Sequence, residues 1–186
     1  MTLVVEQPET TPVTQEASSQ QLAPWHVRTG ALAIDIGPAV AVVATMALVA
    51  LMVPLRSTWW WLLVAVAVAA GLLTVVNRWV LPTHTGWSLG RALLGITVVR
   101  PDEGDGELAV GMGRMLLRDL AHLLDTASAM VGWLWPLWDS RRRTFADLLL
   151  HTEARSVGPD RRPGNARRLT AGVMLTAALL CVAGAA

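Results

Sequence analysis

Three short stretches of this sequence carry residues whose types and spacing suggest chemistry inside a membrane. In "RTGALAIDIGP", Arg28 to Pro38, an acid stands seven residues after an arginine in a run that is otherwise almost wholly apolar. Seven residues make two helical turns, so Arg28 and Asp35 share one helix face, with Asp35 about 10 Å deeper. A carboxylate there needs a cationic partner or a polar cavity, because an isolated charge in hydrocarbon is costly. The second stretch, "TGWSLGR" at 85–91, combines small residues with Arg91, and the third, "RRRTFAD" at 141–147, sets Asp147 behind three arginines. Acid and base in these positions allow an architectural ion-pair network, a proton or ion relay through Asp35, or a lipid-headgroup site built from arginines.

The elements that must position these groups follow from composition. Of the 186 residues 53% are hydrophobic and only 16% charged, where a soluble domain holds about 25%. All 15 basic residues are arginine, which points to a GC-rich bacterial genome. The charge is uneven along the chain: Glu6, Glu9 and Glu16 face no arginine in the first 25 residues, whereas eight arginines crowd 141–168. The single cysteine, Cys181, excludes a disulfide or a cysteine-based metal site within one chain. His84, His122 and His151 do not fall at ligand spacing, so neither a metal nor another cofactor is expected. Trp59, Trp60 and Trp61 open an apolar segment and Trp79 ends it, as an aromatic belt would place them.

Residues 1–24 are polar and aperiodic and read as a disordered tail, without the basic start and apolar middle of a signal peptide. The runs 30–53 and 59–81 are each long enough to cross a hydrocarbon core, and the short turn between them makes an antiparallel hairpin. Pro38 is expected to loosen the first turns of the first span. Glycines interrupt 83–107, which is expected to lie at the interface, with Ile96 to Val99 extended and an acidic loop over 101–107. Leu108 to Asp125 has helical spacing: Met112, Met115, Leu116, Leu120 and Leu123 face one way, while Arg114, Arg118, Asp119, His122 and Asp125 interrupt the other faces. Thr126 to Trp138 is apolar but short for a crossing and is expected to dip in and return, a full third crossing being the alternative. "SRRRTFADLLLHTEARSV" reads as a short amphipathic helix, 158–168 as a basic linker and 169–186 as a further span, whose abrupt end is expected of a piece of a longer protein, an anchor ending at its own terminus being the alternative.

The arginine-rich stretch belongs in the cytoplasm by the positive-inside rule, as do Arg78, Arg91, Arg100, Arg114 and Arg118. That places the N-terminus inside and the C-terminus outside a cell (inner) membrane. The expected fold is thus an all-α integral membrane protein: a two-span hairpin, an arginine-rich amphipathic and re-entrant layer on the cytoplasmic side, and a C-terminal transmembrane helix. Arginines beside spans are better read as inside-positive flanks than as a nucleic-acid site.

Taken in order, the three stretches resemble the RDD family of bacterial membrane proteins. That family opens its first span with Arg, a small residue three later and Asp seven later, here Arg28, Ala31 and Asp35. Its Thr-x-Gly-x-Ser-x-Gly-Lys/Arg stretch is matched by Gly86, Ser88, Gly90 and Arg91, with Thr83 or Thr85. Its closing Arg-Arg-x-x-His-Asp and nearby Thr are matched by Arg142, Arg143, Asp147 and Thr152, with Ala146 where the family often has His. The resemblance spans 24 to about 157. On the physical reading, Asp35 and Asp147 pair with Arg91, Arg118 or Arg143 and staple the layer to the hairpin.

An RDD module followed by a basic linker and one more span also resembles the Mce-associated membrane proteins of actinobacteria, which accompany Mce (mammalian cell entry) lipid-import systems. This resemblance implies a non-catalytic accessory subunit of a lipid transporter, with a permease, an ATPase, Mce proteins and membrane lipids as partners. Small residues such as Ala39, Ala41, Ala44 and Gly172 would permit close packing against such a partner. An ion or proton antiporter acting as a homo-oligomer and a lipid-binding regulatory module are the other classes the sequence allows.

Overall fold

A computed structural model of the chain describes residues 22–100 and 111–185. Most of the polar tail, the acidic loop, the first residues of the expected 108–125 helix and Ala186 lie outside the described residues.

Among the described residues three helices are long and apolar enough to cross a membrane: α1 (Trp25–Ala50), α2 (Thr58–Thr85) and a C-terminal helix at Ala166–Ala185. At 1.5 Å per residue even the shortest is about 30 Å long, the thickness of a hydrocarbon core. Helix α1 begins five residues before the expected span and runs through Pro38. The loop after it ends at Ser57, whose side chain accepts from the Trp60 amide and caps α2.

Between and after the spans lie α3 (Leu89–Leu94), β1 (Ile96–Val99), α4 (Met112–Ala127), α5 (Val131–Leu134), α6 (Phe145–Leu150), β2 (Glu153–Ser156) and then the last span, α7 (Ala166–Ala185). The all-helical membrane architecture expected from the sequence therefore holds, with one small addition. β1 and β2 pair antiparallel, Ile96 opposite Ser156 and Val99 opposite Glu153. Extended backbone at 96–99 agrees with expectation. The expected helix over 140–157 is corrected: it stops at Leu150, His151 turns left-handed with φ of 51°, and 153–156 is a strand. The reason is tertiary, since β1 and the Ala23 amide, which donates to the Ala154 carbonyl at 2.9 Å, satisfy the backbone of β2 from both sides.

Two clusters hold the bundle together at different depths. In the spans, Val42 and Met46 of α1 meet Ala177 of α7, with Leu63, Val66, Ala67 and Ala70 of α2 against them. A Cβ on Gly184 would meet the Met46 and Thr45 side chains, so the far end of α7 packs beside the far end of α1. At the other end, Ala23, Ala31, Ile96 and Ala154 close under Val27 and Leu94. Such contacts between small and branched side chains are what hold helices together where lipid removes the hydrophobic drive.

Helix α4 is turned inside out relative to a soluble helix. Its buried face is Met115, Arg118, Ala121 and Asp125, while Leu117, Leu120, Leu123 and Leu124 are exposed. The segment expected to dip or cross, 126–138, contains only α5 and a short 3-10 turn at Trp135–Leu137, neither long enough to span. It folds back on α4: Trp133 stacks on His122 with ring centroids 4.5 Å apart and donates to the Thr126 hydroxyl at 3.0 Å. Trp59 and Trp61 are exposed at the start of α2, as a belt requires, whereas Trp79 is half-buried. It packs on Val98 and Met115, and its indole N–H is drawn inward by Asp119.

Candidate functional site: a charged layer at one end of the bundle

Asp147 is the centre of the site. It is fully buried at the third position of α6, where Thr144 caps the helix. The Thr144 hydroxyl accepts from the Asp147 amide and the Asp147 carboxylate accepts from the Thr144 amide, each at 3.2 Å. The same carboxylate accepts from the Thr152 hydroxyl at 3.1 Å, from Arg118 Nε at 2.9 Å and from the Arg28 guanidinium. Arg28 also donates to the Arg142 carbonyl. Four donors, two of them guanidiniums, thus converge on one side chain, and the first span is tied to α4 and α6 through it.

Asp35 is held differently. It is buried in α1, and its carboxylate accepts from the Ser88 hydroxyl at 2.6 Å, the Gly90 amide at 2.8 Å and the Asn77 amide side chain at 2.8 Å. Arg78 stands at 3.8 Å, a weaker ionic contact. Asn77 also accepts from the Leu89 amide at 2.9 Å, so it joins α2, α1 and α3. Gly90 is needed because a Cβ there would land on the Ala31 carbonyl. A π-turn over Val76–Val80 presents three consecutive residues to the layer. Asn77 goes to Asp35, while Arg78 makes a two-pronged pair with Asp119, which also accepts from Trp79 at 2.8 Å.

The structure separates the arginines that spacing grouped together. Of the three candidates, Arg118 pairs with Asp147, whereas Arg91 and Arg143 pair with neither Asp35 nor Asp147. Arg143 bonds Asp139 at 3.1 Å, four residues back, where the turn before α6 brings the two together. Arg91 is buried, and its guanidinium nitrogens lie 3.8 and 3.9 Å from the Met115 sulfur, a weak acceptor. Arg142 contributes its backbone carbonyl, in a residue with φ of 51°. Gly86 ends α2 with φ of 78°, which a Cβ would strain. Ala146 is fully buried, so the His frequent at that position of the RDD pattern is replaced by packing.

Sequence reasoning passed over Asn77, Asp119 and the His122 and Asp125 pair. Asn77 and Arg78 are polar residues near the end of an apolar run, which is a usable signal. Asp125 accepts from the Phe145 amide at 3.0 Å and contacts His122 Nδ1 at 2.5 Å. Gly132 packs on Asp125 so closely that a Cβ would strike the carboxylate.

Two titrations follow from this geometry. Burial alone raises the Asp147 carboxyl, but the Arg118 and Arg28 guanidiniums and their hydrogen bonds outweigh it and hold it well below the usual carboxylate range. Burial lowers the His122 imidazole below its ordinary 6.5, with Arg118 reinforcing and the Asp125 hydrogen bond opposing. Both groups bind protons less readily folded than unfolded, so stability rises with pH where they titrate. The Asp147 contribution is present above about pH 4 and is lost as pH falls below that. The melting temperature of the detergent-purified protein is expected to fall modestly on acidification through 6.5 and more steeply below about pH 4. His122→Phe should flatten the first limb only; an unchanged profile would show that His122 binds protons equally well folded and unfolded.

The fold and the site define a helical membrane protein with a charged layer at one end of its bundle. The chain belongs to the RDD family, whose sequence model matches residues 22–151. It is 38% identical over 68 residues to the proline-rich antigen of Mycobacterium leprae, covering 37% of this chain and 26% of that protein. It is 39% identical over 67 residues to a proline-rich antigen homolog of Mycobacterium tuberculosis, covering 36% and 27%. The match thus spans about a quarter of the length of these curated relatives. No solved structure matches.

Proposed function

We propose that the protein is a non-catalytic accessory subunit of a bacterial membrane transport complex, of the Mce lipid-import type, and that its charged layer is an architectural staple. The observation that carries this reading is the state of Asp35. Both of its oxygens are engaged by donors of the same chain, which take three of its roughly four lone-pair sites, so a proton or cation would have to compete with them to use it. On the lipid-facing side of α1, Ala41 and Ala44 are exposed and a Cβ on Gly37 would meet nothing; Gly172 on α7 is equally uncovered. Such small-residue faces suit close helix packing against a permease-like partner. The similarity to mycobacterial proteins supports an actinobacterial setting. The arginines of the layer and of 141–168 support a cytoplasmic position for this end at the inner membrane, with the N-terminus inside and α7 running outward.

The test is mild-detergent affinity purification at native expression, with mass spectrometry and sizing of the particle. Co-elution with an ATPase, a permease and Mce-type proteins is the expected result; a small homo-oligomer without partners would overturn it. The pure protein in proteoliposomes is expected to carry no sodium- or proton-driven flux. A flux that Asp35→Asn abolishes, in a variant of normal abundance, would replace the accessory reading with antiport.

A further inference from the structure

A cavity of about 60 Å³ lies where α1, α2, α3 and α4 meet. Its lining includes four guanidiniums, those of Arg28, Arg78, Arg91 and Arg118, together with His122 and a single carboxylate, Asp35. The chain's own acids answer three of the arginines. Arg28 and Arg118 share Asp147, and Arg78 takes Asp119. Asp147, Asp119 and Asp125 are not among the lining residues, so they compensate the layer without making the cavity wall acidic. Asp35 is occupied by Ser88, Gly90 and Asn77.

Arg91 stands apart. It is only 6% exposed, it lines the cavity, and among the described residues it has no carboxylate within ion-pairing distance. Its one hydrogen-bond acceptor there is the Met115 sulfur. A buried guanidinium left to a thioether is expensive, and a planar donor fork is suited to a tetrahedral oxyanion. We infer that this cavity is a binding site for a phosphoryl oxyanion, with Arg91 as its principal ligand and Arg78 and Arg118 as flanking cations. Burial, with Arg118 nearby, lowers the Arg91 pKa to about 10, which leaves it charged at neutral pH and favours an anion beside it. About 60 Å³ suffices for one small oxyanion or a few waters. The group reaching it is either the headgroup phosphate of an anionic lipid or free inorganic phosphate. Thr29, exposed on α1, stands at the rim.

The site does not depend on the accessory-subunit reading, and the two fail separately: one is tested by co-purification, the other by the isolated chain. The full-length protein would be placed in phosphatidylcholine nanodiscs, and its melting followed by tryptophan fluorescence. Inorganic phosphate would be titrated against chloride at constant ionic strength, and in a second arm dioleoyl phosphatidate would be added to the bilayer. A rise in melting temperature with phosphate alone identifies a free-oxyanion site; a rise with phosphatidate, with or without phosphate, identifies a headgroup site. Arg91→Gln is expected to weaken the response about tenfold or more, and Arg91→Lys to restore part of it. If Arg91→Gln fails to fold, Thr29→Phe plugs the rim from an exposed helix position and should abolish the response with all charges kept. No response to either probe, or an undiminished response in Arg91→Gln or in Thr29→Phe, would overturn the inference.

Discussion

Asp147→Asn is expected to destabilise the protein by about 3–5 kcal/mol, the usual cost of breaking a buried pair by removing one partner. The side chain keeps its size, so the loss is electrostatic. Arg28 and Arg118, 12% and 10% exposed, would face each other across a neutral amide. An amide also has one acceptor oxygen where the carboxylate has two, and four donors converge on this position. Some of them must go unsatisfied, and the amide NH₂ would point at donors. The measurement is chemical or thermal unfolding in detergent, together with abundance in the membrane. The double variant Asp147→Asn with Arg118→Gln should recover part of the loss, because it removes one of the two stranded charges. A single Asp147→Asn variant of wild-type stability would mean that the converging arginines are compensated elsewhere.

Gly90→Ala should cost about 2 kcal/mol or more, as overpacking against a rigid neighbour does. The added methyl would overlap the Ala31 carbonyl, which is backbone inside α1 and cannot rotate away. Relief requires α3 to move off α1, which lengthens the Gly90 amide bond to Asp35 and disturbs the Ser88 bond beside it. The expected result is therefore a lower melting temperature together with easier access of solvent to Asp35, read by hydrogen exchange at residues 88–92. Gly71→Ala is the control. A Cβ there meets nothing within 4 Å, so that change should be neutral or slightly stabilising through helix propensity. Equal effects of the two substitutions would show that close approach at Gly90 is unimportant.

Both expectations rest on groups that the RDD pattern contains, yet their partners were only partly apparent from the sequence. Arg28 and Asp35 sit on one face of one helix, which suggests a common target, but they serve different ones. Arg28 reaches Asp147, 119 residues away, while Asp35 turns to neutral donors on α2 and α3. Charge sign alone made Arg91, Arg118 and Arg143 equivalent candidates. Helix phase and distance made them unequal: Arg143 is captured locally by Asp139, and Arg91 is buried against a sulfur.

What the sequence determined by itself was everything that depends on local composition and period. Three runs of apolar residues long enough for a hydrocarbon core had to be helices, because lipid offers the backbone no hydrogen bonds. The spacing of α4 likewise announced an amphipathic helix. What only the tertiary structure decided was direction and partnership. The charged face of α4 turns inward because α2 offers Arg78 and Trp79 to Asp119 and α6 offers Asp147 to Arg118, and its leucines are left to face outward. Residues 153–156 became a strand because β1 and Ala23 present unpaired backbone to them, an attraction between segments far apart in sequence that outweighs local helical pattern.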